Sequence, residues 1–515
     1  MNMNRRNFLF GSAAATALAG CSTAKVGTRQ LKPGEKPAVA VIGYGMRARD
    51  LTGEFLGLND LCRVTAVCDC DKTRLAQGVK RVNDYYAQKG IACTCTGYAD
   101  FRDVIKNPEI DMVCIATPDH WHAYMSVEAM KHGKDVYCEK PLTFCVDESR
   151  KVMAAQEKYG RVFQTGSMQR CWPEFRTAVM IVRNGFIGDV KYVDANYGIG
   201  GQKLGGPSHP MRFFDVPENA ATEGAPNPDV DWNMWLGPAK WRPYSDHLAP
   251  RGIHKGYSNV MFWRFDDDIG TGYNGDWGAH HLDIAQWGLD MDKSGPYKII
   301  RSDEPYSTNL FHGCRRQFGM KMLFHTPTGD VELYHGPFGV ISGKGGWGTV
   351  FYGTKGIVAV NRGKIAVWQG AGVKPTLELR KQIESVTLGG MTLVAASVGK
   401  DYGTDASSKK DNKLDATLKK LNDHFKLDAA PVQVYKSTDR SQVRNFVEHY
   451  FDRKPTQSPA ETGGRSAILC QLCNMSYVYD TGFDWDPVKN DFAGGNKMGI
   501  PLKRDVYRNG WEVVV

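Results

Sequence analysis

From residue 38 the chain alternates short apolar runs with longer stretches in which apolar residues recur every three or four positions. Ala38–Ile42, Val64–Cys68 and Asp111–Ala116 are apolar almost throughout, as strands buried on both faces are. Helical spacing fills the intervals: on from Ala48 through Leu56, over Thr73–Lys89, over Phe101–Lys106 and over Ala123–His132. Further strands are expected near Cys93–Cys95 and at Val136–Cys138. Strand and helix in regular alternation call for an α/β fold with a parallel, doubly wound sheet.

After a linking helix over Asp147–Tyr159 the pattern changes. A helix at Pro173–Asn184 is followed by Gly188–Ala195, which alternates as a half-buried strand does. Residues 200–260 are rich in Gly, Pro, Trp and His and are expected to form long loops, with Trp232, Trp235 and Trp241 as an ordered cover offering apolar faces to a sugar ring. Strands then alternate over residues 296–375, among them Val331–Tyr334, Trp347–Tyr352 and Ile357–Val360, as in a mainly antiparallel sheet. Residues 395–430 are read as an insertion whose Leu414, Leu418, Leu421 and Phe425 form one packing stripe. Helices at Gln442–Phe451 and Ala467–Asp480 are placed to return to the first domain. The organisation predicted is a signal over 1–21, a tether over 22–36, a nucleotide-binding domain over 37–160 and a second domain over 161–515.

With 42% hydrophobic and 23% charged residues in 515, the composition is that of a globular protein of two or three domains. The formal charge of +9 is dispersed, with no basic stripe interleaved with aromatics, which gives no support to nucleic-acid binding. Asn4-Arg5-Arg6-Asn7-Phe8-Leu9 resembles a twin-arginine export signal, and Leu18-Ala19-Gly20-Cys21 resembles a lipobox with Cys21 as the acylated thiol. The expectation is an exported, periplasmic protein that meets the membrane only through a lipid anchor. The thirteen cysteines lack the spacing of a disulfide scaffold, and Cys470-Gln-Leu-Cys473 lies in an apolar helical pattern without a second ligand pair, so buried thiols and no metal are expected.

The candidate chemistry gathers at strand ends. Gly43-Tyr44-Gly45-Met46-Arg47-Ala48 follows the first strand as Gly-x-Gly-x-x-Ala: Gly43 permits the turn, Gly45 lets backbone approach a pyrophosphate, and the helix start offers free N–H groups. Asp69 ends the second strand, where an acid binds a ribose 2′-hydroxyl and disfavours a 2′-phosphate, so NAD is expected before NADP. A flavin or S-adenosylmethionine site would use a similar turn. Thr117-Pro118 and His122 follow the fourth strand, with His122 expected to line the cofactor cleft, and Glu139-Lys140-Pro141 follows the fifth. Further on, Gln169 and Arg170 are candidate sugar-facing donors, with a structural role equally open. Trp263-Arg264 precedes Asp276-Trp277-Gly278-Ala279-His280-His281. Asp276 and His280, four apart on one helix face, suit a carboxylate that orients an imidazole for proton transfer. His281 and Asp283 with His280 could instead suggest a metal site.

Taken together, Gly43-Tyr44-Gly45, Asp69, Thr117-Pro118…His122 and Glu139-Lys140-Pro141 resemble the glucose–fructose oxidoreductase/inositol dehydrogenase/MocA family of nicotinamide-dependent sugar oxidoreductases, over roughly residues 37–390 and 437–510. Asp276…His280…Asp283 resembles that family's second signature. The resemblance implies a Rossmann domain followed by an α/β domain with a large open antiparallel sheet. It places Lys140 beside the nicotinamide and the reacting carbinol, and His280 in the acid/base position. Which of Lys140 and His280 is the base stays open, as does the sugar. Partners expected are a small sugar, polyol or glycoside and further copies of the chain. A related NAD-dependent glycoside hydrolase family lacks the lysine of Glu-Lys-Pro, which this chain keeps.

Overall fold

A computed structural model describes residues 29–196, 227–246, 248–250, 262–266, 268–272, 274–302, 319–335, 346–398, 411–436 and 440–515. Arg5, Arg6 and Cys21 lie outside the described residues, as do residues 200–226 and 251–260 of the stretch expected to form long loops. In the segment read as tether, Arg29 is docked. Its Nε and Nη2 donate to the two carboxylate oxygens of Asp111 (3.0 and 2.8 Å), at the entrance to the fourth strand.

Six parallel strands form the first sheet: β1 Ala38–Ile42, β2 Arg63–Cys68, β3 Thr96–Tyr98, β4 Met112–Ile115, β5 Asp135–Cys138 and β6 Phe163–Thr165, in the order β3-β2-β1-β4-β5-β6. Both faces are covered, which is why the runs are continuously apolar. Val39 and Val41 enter one core with helix Met46–Gly57, while Ala40 and Ile42 enter the other with helix Asp119–Lys131. Three expectations are corrected. The third strand lies at 96–98 rather than near Cys93–Cys95. The sheet takes its sixth strand from beyond residue 160. The fourth helix begins at Asp119, with Pro118 as its N-cap residue, rather than at Ala123, so His122 stands in its first turn.

Ten strands form the second sheet: β7 Val190–Ala195, β8 Lys298–Ser302, β9 Gly319–Thr326, β10 Gly329–His335, β11 Thr349–Gly353, β12 Gly356–Asn361, β13 Lys364–Gln369, β14 Thr392–Val398, β15 Phe483–Asp486 and β16 Asp491–Phe492. Their order is β14-β13-β12-β11-β7-β10-β9-β8-β15-β16, antiparallel except where β7 meets β10. Helices Pro173–Arg183 and Ala279–Gly288 pack on this sheet. Helix Asn412–Phe425 joins the same core through Leu414, Leu421 and Phe425, with Leu418 against it, so the stripe in the insertion is a packing face.

The chain does return to the first domain. Val443, Phe446 and Val447 of helix Gln442–Asp452 complete one face of the first sheet, and Trp511 and Val513 complete the other. Helix Ala460–Tyr479 places Ala467 in the first domain's core and Leu469 and Leu472 in the second's. No disulfide joins any two of the eleven described cysteines. Among the described residues no helix is long and apolar enough to cross a membrane.

Candidate active site

A cleft runs along the carboxyl ends of β1, β2, β4 and β5 and continues under Trp263, Arg264, Asp276, Trp277 and His280 of the second domain. Gly43 takes φ +82°, and a Cβ there would stand 2.7 Å from Thr117, so the turn after β1 and the loop after β4 close on each other only because residue 43 is glycine. Helix Met46–Gly57 starts at Gly45 with no side-chain cap and no acid in its first turn. Its leading N–H groups are therefore left for an anion. Asp69, just past β2, lines the cleft with its carboxylate fixed by two backbone amides, Tyr44 N to Oδ2 (2.6 Å) and Asp71 N to Oδ1 (2.8 Å). Burial pushes its carboxyl up, against the opposing pull of Arg74. Arg74 lines the same end, donating to the Pro250 carbonyl (2.8 Å). These residues fit a dinucleotide: a phosphate-facing helix start, a glycine turn and a fixed acid for a ribose hydroxyl.

Met46 and Arg47 line the cleft as expected, but the Tyr44 side chain does not. Its ring is buried against Gly78, where a Cβ would come within 2.9 Å of it, so residue 44 contributes only its amide. Arg47 donates from Nε to Glu139 Oε1 (2.9 Å), and Tyr137 donates to the same oxygen (3.1 Å). Glu139 thus braces the end of β5 against the first helix. Gly166 permits this, since a Cβ there would touch the carboxyl at 2.8 Å.

At the other end Lys140 Nζ donates to Asp276 Oδ1 (2.9 Å) and to its backbone carbonyl (2.7 Å), and Arg264 Nε donates to the same Oδ1 (3.2 Å). Burial alone would raise the Asp276 carboxyl, yet Lys140 and Arg264 outweigh it and hold it well below the usual carboxylate range. His280 is buried. Its Nδ1 has no hydrogen-bond partner among the described residues, and burial, then the charges of Arg362 and Lys140, push its pKa well below the ordinary histidine value. The expected Asp276–His280 pairing is corrected. Asn274–Gly278 is a π turn ahead of helix Ala279–Gly288, and its carboxylate goes to two full cations in preference to a neutral imidazole. Trp277 meets His280 edge to face at 5.9 Å, and Arg362 lies over Trp277 at 4.6 Å.

Gln169 and Arg170, open in sequence between a sugar-facing and a structural role, take structural partners, and His281 does not line the cleft either. Arg170 is fully buried, donating to both oxygens of Asp283 (2.8 Å each) and of Asp292 (2.8 and 2.7 Å). Gln169 links two residues of the site, its amide nitrogen donating to the His280 carbonyl (3.2 Å) and its amide oxygen accepting from the Arg362 side-chain Nε (3.0 Å). His281 is buried outside the cleft, bonded through Nδ1 to the Asn196 carbonyl. No group of His, Cys, Asp and Glu among the described residues could hold a metal ion. Trp232 stacks on Trp235 (4.8 Å), and Trp235 covers the nucleotide end, tied there by the Asp71–Val230 bridge, while Trp241 is 63% exposed. The tryptophans therefore do not offer faces at the reacting end.

Arg362 is a cleft residue that the sequence reading missed. It sits in the Asn361-Arg362-Gly363 turn between β12 and β13, and an arginine in a hairpin turn reads as solvated until the sheet brings it over Trp277. Asp119 was missed too. It accepts from Thr271 N (3.0 Å) and Oγ1 (2.6 Å), joining the loop after β4 to the second domain.

Comparison with known proteins adds the following. Residues 38–167 match the model of an oxidoreductase family's NAD-binding Rossmann fold, and residues 210–318 match that family's C-terminal alpha/beta domain. A glycosyl hydrolase family 109 protein of a Shewanella species is 31% identical over 214 residues, 38% of this chain and 46% of that protein. Inositol 2-dehydrogenase of Rubrobacter xylanophilus is 35% identical over 159 residues, 30% of this chain and 42% of that protein. The matched stretches thus span under half the length of these curated relatives. A levoglucosan dehydrogenase solved with NADH and levoglucosan shares the fold over 87% of this chain and 99% of its own, at 15% identity and a TM-score of 0.50.

Proposed function

The chain is an oxidoreductase of the Gfo/Idh/MocA family, and on that premise we propose that it moves a hydride between NAD and a carbinol carbon of a sugar, polyol or glycoside. The observation that carries this reading is the meeting, in one cleft, of a dinucleotide turn at Gly43–Gly45 with Lys140, Asp276 and His280 at the far end. Gly43, Gly45, Met46, Arg47 and Asp69 would hold the nucleotide, with Thr117 and Pro118 lining the same cleft. Bound there, NAD supplies the ring that accepts or returns the hydride.

The chain's own groups divide the proton work. Lys140, whose Nζ is held by a carboxylate and a carbonyl, donates a hydrogen bond to the reacting oxygen. His280, kept neutral among cations, is the proton acceptor. Asp276 positions Lys140, and Arg264 steadies Asp276. Asp69 favours NAD over NADP.

The likeness to a family 109 glycosyl hydrolase favours a second reading. Oxidation, elimination and re-reduction on one glycoside would cleave it without net redox change. Both readings fit the twin-arginine-like and lipobox-like residues before Cys21, because an exported enzyme would work with cofactor loaded before export and regenerated in place. The test is analysis of nucleotide released by denaturing protein purified from an exported fraction, followed by a panel of free sugars, polyols and glycosides. Stoichiometric NAD(H), with hydride transfer or glycoside cleavage that Lys140→Met abolishes, is the expected result. An empty protein inactive on the whole panel with added NAD would overturn the proposal.

A further inference from the structure

His122 stands in the first turn of helix Asp119–Lys131 and is buried. Its Nδ1 lies 2.7 Å from the Pro141 carbonyl and its Nε2 lies 2.9 Å from the Thr117 carbonyl. Both partners only accept. A neutral imidazole has one donor and one acceptor nitrogen, so in either tautomer a lone pair would face a carbonyl lone pair at hydrogen-bond distance. Two protons on the ring make both contacts attractive.

The carbonyls belong to different loops. Thr117 ends the loop after β4 and closes on Gly43, and Pro141 directly follows Lys140 in the loop after β5. We infer that His122 is a positioning residue: its doubly protonated ring clamps the two loops together and thereby fixes Lys140 relative to the nucleotide turn. The groups around the ring accord with a buried cation. Asp119 on its own helix supplies the counter-charge, and the Cys138 thiol at the end of β5 sits against it. His120, the other titratable neighbour on that turn, directs its Nε2 to the Trp235 carbonyl (3.1 Å). Burial opposes the charge, but Cys138, Asp119 and the Pro141 carbonyl outweigh it and push the ring's pKa up to about 10.

The clamp is independent of which reaction is run; its value for catalysis rests on the role given to Lys140 above. The test uses the full chain with ¹⁵N-labelled histidine. Side-chain spectra from pH 6 to 9 are expected to hold one ring with both nitrogens protonated at pH 8.5, where an ordinary histidine is neutral, and that signal is lost in His122→Gln. A ring with one unprotonated nitrogen at pH 8 for every histidine overturns the inference, whether or not a substrate is known and whether or not the variant folds. In the enzyme assay, His122→Gln is expected to lower kcat tenfold to roughly a hundredfold, the scale of a misplaced catalytic group, with KM and NADH affinity within about threefold. A variant that loses thermal stability while kcat is unchanged also overturns it.

Discussion

Lys140 and Asp276, 136 positions apart in sequence, are joined twice, by the carboxylate at 2.9 Å and by the backbone carbonyl at 2.7 Å. One residue is delivered by the Rossmann sheet and the other by a π turn of the second domain. The reacting end of the cleft exists only where the two domains meet.

Lys140→Met is expected to lower kcat by 10²–10⁴-fold, the usual worth of a positioned proton-handling group, while leaving NADH binding by fluorescence nearly intact. Lys140→Arg is expected to rescue little, because a planar fork cannot reproduce a point donor shared between a carboxylate and a carbonyl.

Asp276→Asn removes the counter-charge from both Lys140 and Arg264. Activity is expected to fall about a hundredfold as Lys140 loses its fixed position, with NADH affinity nearly unchanged. Activity within a few-fold of the parent enzyme would assign the positioning of Lys140 to other partners.

Stability is expected to peak near neutral pH. His120 and His280 are kept neutral, chiefly by burial, so below about pH 6.5 the unfolded chain binds protons that the folded chain does not, and stability falls with acidification. His122 has the opposite sign. Its contribution is complete below the ordinary histidine value and is lost as pH rises through about 10. Calorimetry from pH 5 to 10 checks both limbs, with His280→Asn flattening the acid one and His122→Gln the alkaline one.

Arg170→Met would strand two carboxylates around a site with no exposure. The expected cost is about 3–5 kcal/mol of folding stability, as for one broken half of a buried ion pair, read by denaturant unfolding. If Arg170 contacted substrate instead, KM would rise with stability unchanged.

Asp69→Ser is expected to shift the NAD/NADP preference toward NADP by roughly tenfold to a hundredfold, about 1–3 kcal/mol for a removed buried acceptor, with Arg74 in reach of the added phosphate. Initial rates with each cofactor decide it.

The Rossmann half was legible because its signals are local. A glycine turn, an acid at the end of β2 and continuously apolar strands each follow from a few adjacent residues. Misplacements there were small and had local causes, such as Pro118 starting a helix whose first turn, with Asp119, His120 and His122, reads as a polar loop. The second domain was legible as a class and less so as a site. Arg170 and Arg264 look alike in sequence, and only the fold decides that one is enclosed by Asp283 and Asp292 while the other faces the cleft. The choice Asp276 makes between His280 and Lys140 likewise depends on a contact across the domain boundary, which no spacing rule contains.

Arg29 fastens the amino-terminal segment to Asp111, at the edge where β4 begins. In a parallel sheet every strand starts on that side and ends at the cleft, so the attachment and the nucleotide turn are separated by the length of β1, roughly 17 Å for five residues. Tension applied through the first residues is consequently delivered to the rear of the sheet, leaving the turn at Gly43 unloaded.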